Sequence, residues 1–130
     1  MEKNEIIRYW VKLSKEDYSA MVNLLKSGNY PWSLFIGHLV VEKLLKAYYV
    51  KNCDINPPHT HNLTQIAEKA ELRLTEKQKD FLDLLNTFNI LARYPDYKLD
   101  FYKKCTREYS TKQINEIEEL RSWLLKQIEQ

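Results

Sequence analysis

Three polar side chains follow one another at four-residue intervals in a segment that is otherwise rich in apolar residues: His38, Glu42 and Lys46. Residues four apart are neighbours on one face of an α-helix. An imidazole, a carboxylate and an ammonium group are costly to bury unless they are paired. The triplet is therefore interpreted either as a buried hydrogen-bond network or as one wall of a ligand-binding groove.

Asp17 is the expected partner of this triplet because it interrupts the apolar stripe of the first predicted helix. Two antiparallel helices joined by a short loop bring their inner faces together. We therefore predict that Asp17 lies within hydrogen-bonding reach of His38, where the pair would lock the register of the two helices. In a ligand-binding groove, the same two residues would supply polar contacts.

Arg93, at the end of the fourth predicted helix, is a second candidate for a functional residue. Its structural role would be to neutralise the carbonyl groups at the helix C-terminus or to pair with Asp96. Its functional role would be to hold a phosphate group, with Tyr94 and Tyr97 as stacking surfaces. The sequence leaves both roles open.

Two further histidines, His59 and His61, flank Thr60 in a loop that follows Cys53. Their spacing does not match a structural zinc site, and no second pair of Cys or His residues lies nearby. We expect His61, which precedes the predicted helix cap Asn62, to brace the loop. We predict neither a metal nor a cofactor, and the chain has no Ser/His/Asp or paired-carboxylate pattern that would assign a catalytic residue.

Helices must position these side chains, since apolar residues recur at helical spacing over residues 4–26 and 31–52. Gly28 is a plausible left-handed cap for the first helix, and Pro31 suits the first turn of the second. The second helix is apolar on most of its sides, which is typical of a helix at the centre of a bundle. These two long helices are predicted to form a central hairpin.

The rest of the chain predicts three further helices, each opened by a capping-box pattern. The three patterns are Asn62 with Gln65, Thr75 with Gln78, and Ser110 with Gln113. The corresponding helices would span about residues 62–71, about residues 75–91 and the C-terminal segment, whereas Pro95 breaks the pattern between 92 and 110. The sequence thus predicts an all-α, up-and-down bundle of about five helices, with one long connection.

The composition fits a single domain over residues 1–130, with a formal net charge of +2. This balance does not indicate a nucleic-acid-binding protein, which usually shows a concentrated basic face, but it leaves room for a local basic groove. No segment approaches the roughly 20 apolar residues that cross a bilayer, so we expect no membrane partner. Two isolated cysteines are expected to be reduced thiols in a cytoplasmic protein.

Three segments resemble the HEPN family (higher eukaryotes and prokaryotes nucleotide-binding domains). Residues 33–47 carry a His, then Glu-Lys, then Lys-Ala, as in the signature of the family's second helix. Residues 58–63 resemble its Pro…Thr-His-Asp/Asn-Leu loop, and residues 93–96 resemble the Arg-Tyr-Pro-Asp segment of one bacterial and archaeal branch. The order and spacing of all three match, so the resemblance covers about residues 5–128.

The resemblance implies a helical bundle that is often dimeric and often partners a minimal nucleotidyltransferase, in some cases as a toxin–antitoxin system. The family's ribonucleases carry an Arg that a His follows within a few residues. Arg93 matches this Arg, but Lys98, Leu99 and Asp100 stand where the His would lie, and no histidine follows His61. General acid/base catalysis near neutral pH relies most often on histidine.

We therefore expect a non-catalytic HEPN module that binds a nucleotide or the phosphate groups of RNA, or supports a nucleotidyltransferase. The alternative is an atypical, metal-independent ribonuclease that recruits Lys98 or His38 in place of the missing histidine. A third interpretation is a purely structural subunit of a toxin–antitoxin pair. A homodimer is also predicted, because the tyrosine-rich connection over residues 94–109, together with Trp32 and Trp123, exceeds what so small a bundle can bury.

Overall fold

The computed structural model describes residues 2–130, except the side chain of Pro95, and forms six helices over that range. They are α1 (Lys3–Lys26), α2 (Tyr30–Asn52), α3 (Leu63–Lys69), α4 (Glu76–Leu91), α5 (Pro95–Lys104) and α6 (Arg107–Glu129). No strand occurs among the described residues, and the predicted all-α bundle is confirmed. Within the same range, no helix combines the length and the apolar character needed to cross a membrane.

The central position of α2 follows from its nearly uniform apolar surface. It packs against α1, α3, α4, α5 and α6. A tight turn joins it to α1, where Gly28 adopts the left-handed region with φ +81°, and Pro31 lies in the first turn of α2. Only glycine adopts this φ without a steric cost, so the turn that the sequence indicated is confirmed.

Gly37 allows α2 to approach two neighbours closely. A Cβ atom at this position would lie 2.6 Å from Ile117 Cδ1 of α6 and 3.3 Å from Met21 Sδ of α1. Both neighbouring side chains are fully buried. A larger residue at position 37 would have to displace Ile117, so the glycine sets the spacing of the three longest helices.

Two of the three predicted helix starts are confirmed at atomic level. The Asn62 side chain accepts a hydrogen bond from Gln65 N, and Thr75 and Gln78 form a complete capping box. The third was wrong, because α6 begins one turn earlier, where Thr106 caps the Tyr109 amide. The pattern at residues 110–113 lies inside α6, and its two polar side chains are buried there.

The long connection predicted between residues 92 and 110 contains an additional helix, α5, so the described residues form six helices where about five were predicted. Pro95 does end α4, as expected, but it also starts α5, because a proline needs no N–H partner in the first turn. Asp96 stands in that first turn and Lys103 and Lys104 in the last, which suits the helix dipole. Phe101 anchors α5 through a ring contact with Phe88 of α4.

Candidate functional site

The polar triplet of α2 lies on one buried face, as predicted. His38 is fully buried, Glu42 is 4% exposed and Lys46 is 9% exposed. Lys46 Nζ donates a hydrogen bond of 3.2 Å to Glu42 Oε2, while His38 Nδ1 lies 3.9 Å from Glu42 Oε1. The Glu42 carboxylate therefore neutralises a buried ammonium group one helical turn away.

His61 connects this face of α2 to the loop before α3. Its Nδ1 lies 2.8 Å from Glu42 Oε1, and its backbone carbonyl accepts a 2.8 Å hydrogen bond from His38 Nε2. The bracing role expected for His61 is thus confirmed, with both of its partners on α2. Thr60 adds a local contact, because its hydroxyl oxygen accepts from the Asn62 amide.

Asn89 of α4 extends the cluster in the opposite direction. Its Nδ2 lies 3.3 Å from His38 Nδ1, and its Oδ1 accepts a hydrogen bond from Arg93 Nη2. Arg93 Nε also donates 2.7 Å to the Asn89 carbonyl, so the arginine binds a C-terminal carbonyl of α4, as one interpretation of the sequence expected. No ion pair between Arg93 and Asp96 is present among the described side chains.

We call the connected side chains of the buried network the polar chain; they are Lys46, Glu42, His61, His38, Asn89 and Arg93. The Arg93 end of the polar chain determines the protonation state of His38. Arginine and lysine are donors only, so Arg93 requires the oxygen of Asn89 to face it, which turns the Asn89 amino group towards His38. His38 then accepts at Nδ1 and donates from Nε2 to the His61 carbonyl, which is the pattern of a neutral imidazole. From Arg93 through Asn89 and His38 to the His61 carbonyl, each donor therefore faces an acceptor.

The predicted Asp17–His38 pair was wrong. The Asp17 carboxylate forms an ion pair with Lys43, which lies one residue beyond Glu42 and faces α1. Successive residues of a helix point about 100° apart, so Lys43 and the triplet occupy different sides of α2. Asp17 therefore takes no part in the polar chain, although it does fasten α1 to α2.

Aromatic rings and cations alternate on the surface beside the Arg93 end of the polar chain. The Arg93 guanidinium carbon lies 5.4 Å from the ring centroid of Tyr94, and Lys98 Nζ lies 5.4 Å from that of Trp32 and 5.7 Å from that of Tyr102. These three rings are 50%, 37% and 37% exposed, respectively. We call these five residues the aromatic–basic face.

Two other candidates lie on α5, near this face. Tyr97 is 52% exposed, and Asp96 is an exposed residue of the first turn. Neither makes a side-chain hydrogen bond within the described part of the chain. The structure thus brings His38, Glu42 and Lys46 into the polar chain, which ends at Arg93, with Tyr94 beside the arginine. It leaves Asp17, Asp96 and Tyr97 outside that chain.

Burial of His38 has an electrostatic consequence. Loss of solvent lowers the pKa of this imidazole below its usual value of 6.5, and the nearby His61 and Arg93 also lower it. The hydrogen bond to the His61 carbonyl and the Glu42 carboxylate act in the opposite direction, but burial dominates. His38 therefore stays neutral in the folded protein under conditions where the unfolded chain takes up a proton.

This difference predicts that the protein loses stability as the pH falls below about 6.5, because the unfolded chain binds one more proton than the folded chain. The slope from His38 alone should reach at most about 1.4 kcal/mol per pH unit. Urea denaturation between about pH 7.5 and pH 5.5 measures it. His38→Gln should remove this component, and the exposed His59→Gln serves as the control. An unchanged slope in His38→Gln would contradict the assignment.

The sequence interpretation missed Asn89, whose signal was nevertheless present. It lies four residues after Leu85 and four before Arg93, on the apolar stripe of α4. A polar residue on a core-facing stripe requires a buried partner. The described residues contain no cluster of three or more His, Cys, Asp or Glu side chains placed to hold a metal.

Comparison with family models provides independent evidence of relationship. The model of the HEPN domain matches residues 7–128, a range that includes all or most of each of the six helices. Searches of curated proteins and of solved structures found no match. The matched range also contains all three segments whose residues resembled this family. The chain therefore belongs to the HEPN domain family.

Proposed function

We propose that this protein is a non-catalytic HEPN module of the cytoplasm that binds the phosphate groups of a nucleotide or of single-stranded RNA at its aromatic–basic face. HEPN domains are known for nucleic-acid binding or ribonuclease roles. The observation that carries the proposal is the alternation of the cations Arg93 and Lys98 with exposed aromatic rings. Such a surface binds single strands by charge and by base stacking.

Arg93 is well prepared to contact phosphate. A guanidinium group has five N–H donors, and Asn89 accepts from two of them. These contacts fix the orientation of the planar group, so that less side-chain entropy is lost when a phosphate binds. Among the described residues, no carboxylate competes for it within 4 Å.

The burial of His38 supports the non-catalytic part of the proposal. This residue was the one histidine that the alternative ribonuclease mechanism could recruit, yet it is fully buried and both of its ring nitrogens are occupied. Lys98, the other substitute, lies over two aromatic rings, contacts that stabilise a cation. General base catalysis would need an accessible neutral group.

Binding of a fluorescent single-stranded RNA of about ten nucleotides tests the proposal. Arg93→Ala and Lys98→Ala should each weaken binding by roughly five- to tenfold and reduce its salt dependence. Arg73→Ala is the matched control, since this exposed arginine precedes the N-terminus of α4, about 24 Å of helix away from the C-terminal end.

Incubation of the same RNA with the purified protein distinguishes binding from catalysis. The wild-type protein should leave the RNA intact over hours. Cleavage that Arg93→Ala abolishes would establish the ribonuclease alternative instead. Binding that is equally strong in wild type, Arg93→Ala and Lys98→Ala would refute the aromatic–basic face as the binding surface.

We further propose that the protein is a homodimer that uses the exposed apolar surface around α5. Leu99 is 76% exposed, and Ile90 and Tyr97, which lie outside the aromatic–basic face, are about half exposed. Apolar clusters of this kind commonly mark interfaces. Light scattering at micromolar concentration should give twice the chain mass of 15.7 kDa, and Leu99→Glu should reduce it to one chain mass. A mass near 15.7 kDa for the wild type would contradict the dimer.

A minimal nucleotidyltransferase is the protein partner that we propose, in a toxin–antitoxin-like system. The support is the family relationship together with the Arg-Tyr-Pro-Asp segment at residues 93–96. Co-purification of the full chain from its native host, followed by identification of the bound protein and nucleotide, tests this. Recovery of the chain with neither would count against the partnership.

A further inference from the structure

The Lys46 end of the polar chain opens into a cavity of about 270 Å³ between the N-terminal part of α1 and the loop after α2. Trp10 and Tyr9 line one side of it, and Ile55 with two prolines, Pro57 and Pro58, lines another. Lys46 is eight residues from His38, or about 12 Å along α2, so this cavity is separate from the aromatic–basic face.

The ammonium group of Lys46 is the main polar feature of this cavity. It carries three N–H donors, and Glu42 accepts from one of them within the described residues. The residue is nevertheless only 9% exposed, and its Nζ lies 5.4 Å from the centroid of the Trp10 ring. A buried ammonium with unused donors beside an open cavity is a ready contact for an anionic group.

We propose that this cavity binds a small aromatic carboxylate, whose carboxylate group accepts from Lys46 and whose ring packs among the aromatic and proline rings. The volume suits a ligand smaller than a drug-sized molecule. Glu42 keeps a second donor in His61, 2.8 Å away, so the carboxylate of the protein stays hydrogen-bonded when Lys46 turns towards the ligand. His59 at the rim offers a further imidazole.

The number of cations favours a carboxylate over a phosphate. Lys46 is the one Lys or Arg side chain that lines the cavity among the described residues, and its charge is already balanced by Glu42. A phosphate dianion normally requires an arginine fork, several cations or a series of backbone N–H groups. A monoanion with a flat apolar body matches both the charge and the lining.

Titration of the ¹⁵N-labelled full chain with indole-3-acetate and phenylacetate, followed by NMR, tests this proposal, which is independent of phosphate binding at Arg93. Saturable shifts should appear at the Trp10 indole N–H and at the backbone amides of Lys46 and His59. The neutral indole-3-acetamide should bind at least about tenfold more weakly, since it lacks the charge-assisted hydrogen bond.

Two variants and one control make the result specific. Lys46→Met should weaken binding by about tenfold or more, and Ile55→Trp, in an exposed loop, should fill the cavity and do the same without disturbing the core. Lys43→Met is the control, because Lys43 lies on the same helix but pairs with Asp17. Absence of saturable shifts, equal affinity for the acid and the amide, or unchanged binding in both variants would each overturn the proposal.

Discussion

Glu42→Gln should destabilise the protein by about 3 kcal/mol, because it leaves a buried ammonium group without its counter-ion. The change removes the negative charge but keeps the shape, so Lys46 becomes a buried ammonium without a counter-ion. His61 also loses its charged acceptor. Urea denaturation near neutral pH, monitored by the circular dichroism of the helices, measures the loss.

The double variant Glu42→Gln/Lys46→Met provides the decisive comparison. Removal of the ammonium group eliminates the uncompensated charge, so at least about half of the lost stability should return. The exposed pair of Glu76 and Lys79, 3.5 Å apart, supplies the control, and Glu76→Gln should cost well under about 1 kcal/mol. A Glu42→Gln effect as small as that of Glu76→Gln would show that the buried pair contributes little.

Helix geometry explains why the triplet itself could be predicted from the sequence. A spacing of four residues places side chains on one face of any α-helix, whatever the tertiary structure, so the contacts of Glu42 with His38 and Lys46 are local. The caps at Asn62 and Thr75 are local for the same reason. Such features depend on a few neighbouring residues and not on how the helices pack.

The rotation of α2 about its own axis could not be predicted in this way. Its apolar residues cover most of the circumference, so the sequence does not show which side faces α1 and which faces α4. The structure turns Lys43 towards Asp17 and His38 towards Asn89. The rotation of α2 about its axis thus determines which polar partner each of its side chains contacts.

Two further errors came from signals that have two meanings. Pro95 both terminates one helix and suits the first turn of the next, and only the first meaning was used. The Ser110–Gln113 pattern fits a capping box, but α6 begins before it, at the cap Thr106, and both side chains of the pattern are buried inside the helix. Packing against the rest of the bundle decides between two such interpretations, because most of the stability of a helix in a protein comes from tertiary packing.

His38→Leu should cost about 3 kcal/mol, even though the residue makes no contact with Asp17. The leucine side chain suits the apolar surroundings, but it leaves the His61 carbonyl without its donor and the Asn89 amino group without its acceptor. A buried polar group that loses its partner costs about 1–3 kcal/mol. His59→Leu, at an exposed position of the loop that carries His61, is the control and should change stability little.

The same substitution should also weaken RNA binding at the aromatic–basic face, by about two- to fivefold, because Asn89 would no longer be held in the orientation that fixes Arg93. Addition of Asn89→Leu to His38→Leu should recover part of the stability, since the unpaired amide is then removed. It should not recover the RNA binding, because the Arg93 guanidinium loses the acceptor that orients it. Recovery of both properties together would mean that Asn89 does not position the arginine.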